Sequence, residues 1–168
     1  MKSLIEKLYG MLISGGNAAQ PAFLLLVRVY WGYQFVITGW GKVTNLEKVT
    51  GFFTSLGIPA PGVNAVFVSG LELVGGALLL IGLASRPIAF MMTINMLVAY
   101  LTADREALTS IFSDPGKFYG ATPYTFLFAA LLVLIFGPGK YSVDAILGPK
   151  LRSTPAPEAA QQRRAYAS

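Results

Sequence analysis

The chain has 168 residues, of which 54% are hydrophobic and 12% charged, with a net charge of +5, and its apolar residues come in blocks. That balance excludes an ordinary soluble domain and indicates an integral membrane protein with room for about four spans of roughly 20 residues. Cysteine and histidine are both absent, which removes thiol redox chemistry, disulfides, thiolate or imidazole metal ligation and axial haem ligands. The positive charge gathers at the ends of apolar blocks and in the C-terminal tail, which fits loop anchoring at a membrane and not nucleic acid.

In chain order, residues 1–21 carry a weak helical stripe of Leu4, Leu8, Met11 and Leu12, interrupted by Glu6 and Lys7. No unbroken apolar core of a cleavable signal is present, so this stretch reads as a cytoplasmic or in-plane lead-in that breaks at Gly15, Gly16 and Asn17. The first span covers about residues 22–41, and its only formal charge is Arg28. In the connector 42–63, Leu46, Val49, Phe52, Phe53 and Leu56 fall at near-helical spacing before IPAPG ends the run. The spacing predicts a short amphipathic helix in the outer membrane surface, a lid over the mouth of the bundle.

The second span reads 64–83, followed by a tight Ala84–Ser85–Arg86 turn. Pro87 then opens the third span, 87–103, at a position where a missing N–H is tolerated. A polar connector, 104–121, leads to the fourth span, 122–136, which stops at Gly137–Pro138–Gly139. From residue 148 to 168 the composition turns to Pro, Ala, Gln and Arg, and a disordered cytoplasmic tail is expected. The predicted fold is therefore all-α: an integral membrane four-helix up-down bundle, residues 22–147, with the amphipathic segment between its first two helices.

Lysine and arginine set the orientation. Lys2, Lys7, Arg86, Lys140, Lys150 and Arg152 fall on the side of the termini, against Lys42, Lys48, Arg105 and Lys117 opposite. The excess places both termini in the cytoplasm. Trp40, Tyr119 and Tyr124 stand where interfacial anchors would.

An ionisable side chain inside a membrane is expensive unless paired or facing a wet cavity, so Arg28 and Glu72 are the first functional candidates. On the first helix, Arg28, Gly32, Phe35, Gly39 and Lys42 recur at steps of four and three. On the second, Val68, Glu72, Gly75, Gly76, Leu79 and Leu83 share a face. The glycines 32, 39, 75 and 76 read as close-packing positions. Placed by the midpoints of their spans, Arg28 and Glu72 lie within reach of each other, about 5 Å and about 2 Å from mid-depth on opposite sides. Asn95 falls at the centre of the third span. The expectation is an inward-facing Arg28–Glu72 pair with Asn95 beside it, with Trp31 or Phe35 against any flat ligand. The competing reading of the same residues is structural, since buried ion pairs can specify which helices meet. Tyr30, Trp31, Tyr33 and Phe35 likewise serve as core or lipid contacts.

The order LLLVRVYWGYQFVITGWGK, FFTSLGIPAP, ELVGGALLLIGLASRP and GPGKYSVD resembles the DoxX family of small four-helix membrane proteins, over residues 22–147. The family's positions fall on Arg28, Gly32, Gly39, Lys42, Glu72, Gly75, Gly76, Arg86, Ser142 and Asp144. The resemblance implies a multi-pass protein of the bacterial cytoplasmic membrane linked to quinone-dependent respiration, similar to subunits of thiosulfate:quinone oxidoreductase or quinol oxidase complexes. It also implies oxidative-stress or sulfur-detoxification partners, such as an oxidoreductase or sulfurtransferase subunit. Two functions follow. In one, the Arg28–Glu72–Asn95 cluster binds quinone and exchanges protons in an accessory subunit, with no covalently bound cofactor and with electrons supplied by a partner. In the other, the chain is a non-catalytic scaffold or small-molecule permeation protein, alone or as a homo-oligomer, whose buried pair is structural.

Overall fold

The computed structural model describes residues 2–152, with side chains from 3 to 148. Among the described residues there are helices and turns and no strands. Helix α1, Lys2–Val43, is followed by α2, Leu46–Ser55, and α3, Pro61–Gly70. A single π-helical turn, Leu71–Gly75, joins α3 to α4, Gly76–Ile81. Then come α5, Ser85–Thr102, the short α6, Arg105–Thr109, and α7, Pro115–Gly120. Helices α8, Pro123–Phe136, and α9, Val143–Arg152, complete the described chain.

The expected break after the lead-in does not occur: α1 runs unbroken for 42 residues through Gly15, Gly16 and Pro21. Nothing packs against Gly15 or Gly16, and residues 3–20 are exposed, so no tertiary contact competes with propagation of the helix. Two glycines at about 1 kcal/mol each do not stop a helix that has already nucleated. At about 1.5 Å per residue α1 is about 63 Å long, roughly twice the hydrocarbon core of a bilayer.

Helix α2 forms within the segment expected to be a lid, and none of its residues is fully buried. Gly57, at φ +71°, turns the chain after it, and Pro61 opens α3 in the first helical turn. The second apolar segment therefore runs Pro61–Ile81 and begins three residues before the expected start at residue 64. It closes at Gly82, whose left-handed φ of +74° makes it a natural C-terminal cap. The polar connector contains α6 and α7; the side chain of Asp114 accepts the N–H of Lys117 and caps the second of these. The tail expected from residue 148 continues α9 as far as Arg152, and residues 153–168 lie outside the described residues.

Helix α1 packs on α3, the π turn, α4 and α8, while α5 packs on α8, the π turn and α4. Backbone contact is closest at the glycines. A Cβ on Gly39 would lie 2.3 Å from the nitrogen of Leu73, and one on Gly32 would lie 2.9 Å from that of Leu80. Stepping back along α1 thus corresponds to stepping forward along the second apolar segment, so the two are antiparallel. A Cβ on Gly76 would fall 2.7 Å from that of Phe35, and one on Gly75 2.7 Å from Met92 Cε. Around these contacts Phe35, Leu79, Ala89, Met92, Ala129, Ala130 and Val133 form the core.

The outside of this assembly is also apolar. Leu26, Ile37, Val66, Val74, Phe90, Leu101, Phe128 and Ile135 are all exposed, large apolar side chains on every long helix of the kind that a lipid environment accepts. Among the described residues, Ser3–Val43 and Pro61–Ile81 are long and apolar enough to cross a membrane, and Pro123–Phe136 is a shorter apolar helix.

Candidate functional site

Arg28 and Glu72 are both buried, at 2% exposure each, but they do not meet. The register fixed by Gly39 against Leu73 and Gly32 against Leu80 puts Arg28 level with Ala84 and Glu72 level with Trp40. That is a separation of about 18 Å along the helices at 1.5 Å per residue. The expected pair is therefore corrected. Depths taken from the midpoints of apolar runs ignore the sliding of one helix along another, which close-packed glycines decide.

Arg28 donates from Nη1 to the carbonyl of Leu79, at 3.4 Å, and from Nη2 to that of Tyr141. Among the described residues its Nε has no partner. Space for the guanidinium exists because residue 82 is glycine: a Cβ there would fall 1.8 Å from Nη1. Around it, the segment after α8 is tied to the α4–α5 turn. The N–H of Asp144 donates to Gly82 O at 2.9 Å, and its carboxylate accepts the N–H groups of Ala84 and Ser85, each at 2.8 Å. Burial opposes ionisation of Asp144, but these N–H bonds and the nearby Arg28 charge outweigh it and hold the carboxyl below its ordinary value. Arg28 with Asp144 is thus a polar clamp joining three segments.

Glu72 sits in the π turn, a helical irregularity that is frequent at functional sites. Its Oε1 lies 2.5 Å from Lys42 Nζ and accepts a second bond, 3.2 Å long, from Asn95 Nδ2. Three elements therefore meet at one carboxylate: the end of α1, the π turn and the middle of α5. Lys42 is 35% exposed against 2% for Glu72, so the pair runs from the interior toward solvent.

Beside this trio opens a cavity of about 510 Å³, bordered by Lys42, Glu72 and Asn95 together with Phe35, Thr38, Met96, Ala99 and Phe126. Helix α2 and the residues just after it supply Val49, Phe52, Phe53, Leu56 and Ile58 to the lining. The volume is in the range of small-molecule pockets, and so is the composition, an apolar wall with a few convergent polar groups. Phe35 packs on Phe126 with ring centroids 4.7 Å apart, giving the cavity an aromatic floor.

The expected site residues divide between two places. Glu72, Asn95 and Phe35 line the large cavity. Arg28 and Trp31 border a separate void of about 10 Å³, which Phe35 also touches. Sequence alone does not mark Lys42 as a ligand-site residue, although it lies on the same helical face as Phe35 and Gly39. A lysine at the end of an apolar run reads as an interfacial anchor, and only the partner on a second helix reveals its other role.

No metal-binding group of three or more His, Cys, Asp or Glu residues occurs among the described residues. Together, the antiparallel apolar helices, the lipid-suited exterior and the buried ion pair define a helical membrane protein with a largely apolar pocket, polar at one end, between its helices. The chain belongs to the DoxX family, whose sequence profile matches residues 23–105. It is 32% identical over 83 residues to CatD of Bacillus subtilis, whose name gives it as a candidate oxidoreductase, covering 49% of this chain and 60% of that protein. It is 27% identical to the inner membrane protein YphA of Escherichia coli, over 76% of this chain and 92% of YphA. An uncharacterized protein of Haemophilus influenzae is 33% identical over 74% of this chain and 90% of its own length. No solved structure matches the chain.

Proposed function

We propose that this protein is a multi-pass subunit of the bacterial inner membrane that binds a flat, hydrogen-bonding ligand of the quinone type in the cavity beside Glu72. The observation that carries this reading is the 510 Å³ cavity with a Lys42–Glu72–Asn95 trio at its polar end and aromatic side chains along its wall. A quinone-type ring needs a slot lined by apolar and aromatic groups and one or two polar groups for its oxygens, and both are present here. The name of CatD and the DoxX membership support the ligand class, and the inner-membrane relative supports the compartment.

In this reading the apolar segments of α1, α3–α4, α5 and α8 are four spans in an up-down bundle with both termini cytoplasmic. Helix α2 lies at the outer surface and roofs the pocket. Glu72 is the proton-exchanging group, Asn95 orients it, and Phe126, backed by the buried Phe35, faces the ring. Without cysteine or histidine to ligate a metal or haem centre, the chain in this reading takes its electrons from a partner subunit, in the class of an oxidoreductase or sulfurtransferase.

The structural reading keeps Arg28, because that residue spends its bonds on backbone carbonyls and lines no ligand-sized space. Trp31 goes with it as core. The test is Glu72→Gln in a strain whose quinone-dependent respiration or oxidant tolerance needs this protein, at equal membrane levels. Gln keeps the size and much of the hydrogen bonding and loses proton exchange, so function should fall. Full activity would make the trio a packing device and the chain a scaffold.

A further inference from the structure

Helix α1 turns one apolar stripe away from the bundle along almost its whole length. Leu4, Leu8 and Met11 of the lead-in and Leu26, Tyr33 and Trp40 of the span are each more than half exposed. At 3.6 residues per turn these six fall within one arc of about 80°, and Gly15, Ala19 and Ala22, also exposed, fill the same arc between them. Arg28, Phe35 and Gly39, which meet the rest of the bundle, lie on the opposite face. Glu6, Gly10 and Asn17 continue that opposite face through the lead-in, so the lead-in is amphipathic in register with the span. From Leu4 to Trp40 the stripe is about 54 Å long, against about 30 Å for the hydrocarbon core of a bilayer. Because α1 is continuous through Gly15, Gly16 and Pro21, the surplus stands along the axis of the span, where lipid does not reach it.

We infer that the α1 stripe of a second copy covers this surface, in a two-fold dimer whose axis lies along the membrane normal and whose α1 helices run parallel. A stripe that passes from water into the bilayer needs a cover that does the same. A second copy inserted in the same orientation presents identical residues at identical depths, which is what an isologous contact requires. Leu8 and Met11 then meet their counterparts in water, where burying them is favourable. At the membrane boundary Gly15, Ala19 and Ala22 let the two backbones approach, as small residues do between membrane helices. Gly15 has nothing of its own chain within 4 Å of the place where a Cβ would stand. The six large side chains, at roughly 100 Å² of removable surface each, bring the contact to the lower end of the range for stable dimers, about 600 Å² per partner. Phe35 and Lys42 face the other way, so both cavities stay open and the dimer is independent of any ligand.

The chain contains no cysteine, so single cysteines report the contact without background. Leu8→Cys and Leu26→Cys lie on the stripe, and Glu6→Cys and Asn17→Cys lie opposite it. Oxidised with copper–phenanthroline in native membranes, the two stripe variants are expected to give a disulfide-linked band at twice the monomer mass, severalfold stronger than the other two. Leu8→Gln combined with Met11→Gln should turn the nanodisc-embedded protein from dimer to monomer by native mass spectrometry. Thermal unfolding of the bundle should be unchanged, because residues 3–20 are exposed and outside its core. Equal cross-linking on both faces, or a wild-type protein that is monomeric in nanodiscs, would overturn the inference. So would quenching of a bimane label on Leu8→Cys by brominated lipid, because the lead-in would then lie on the membrane surface.

Discussion

Lys42 Nζ lies 2.5 Å from Glu72 Oε1, and this contact, not one with Arg28, neutralises the buried carboxylate. Its position follows from Gly39, one turn earlier on α1. Only a residue without a side chain lets α1 approach the π turn closely enough for a lysine at the helix end to reach inward.

The ion-pair assignment is open to a double-mutant cycle. Removing Lys42 alone leaves a buried charge unpaired, a change that carries a penalty of about 3–5 kcal/mol in enclosed sites and less here because Lys42 reaches solvent. We expect Lys42→Met to lower the unfolding midpoint in detergent, Lys42→Met with Glu72→Leu to recover much of the loss, and Arg28 with Glu72 to show additive effects, as separated sites do. Strong coupling between Arg28 and Glu72 would restore the pair that the helix register rejects.

Gly39→Ala separates packing from propensity. The new Cβ would sit 2.3 Å from a backbone nitrogen that cannot move without shifting the helix, so a loss in the range of about 1–3 kcal/mol or more is expected. Gly15→Ala, where nothing lies within 4 Å, should be neutral or stabilising by up to about 1 kcal/mol. Thermal unfolding of the two variants side by side checks the contrast.

Much of this arrangement is visible in the sequence, and the losses have physical causes. The apolar runs gave their own positions because a membrane demands continuous stretches of them, and the amphipathic α2 declared itself through Leu46, Val49, Phe52 and Phe53. Glu72 and Asn95 stood out as polar groups in apolar surroundings. What failed was their partner. Sequence shows which face a residue occupies but not how far one helix slides on the next, and a slide of about 11 Å beyond the expected offset exchanges Arg28 for Lys42. The π turn at Leu71–Gly75 leaves no recognisable signal either, since its one glycine, Gly75, serves equally well for packing.

Acid should loosen the Arg28–Asp144 clamp. The folded carboxyl of Asp144 lies below its ordinary value, so its contribution is complete above the unfolded carboxylate range, near pH 4, and is lost as pH falls through the folded value. Unfolding midpoints of wild type and Asp144→Asn, followed from neutral pH downward, should converge as that window is crossed. A gap that stays constant at low pH would remove Asp144 from the acid response.

A quinone-type ligand in the space between α2, the π turn and α5 is open to direct detection. Its most direct test is mass spectrometry of the gently extracted protein, comparing wild type with Ala99→Trp, in which an indole occupies the cavity wall. Quinone or quinol should be retained by the wild type and depleted severalfold in the variant at equal protein and lipid content. Equal retention in both, or none in the wild type, would contradict it.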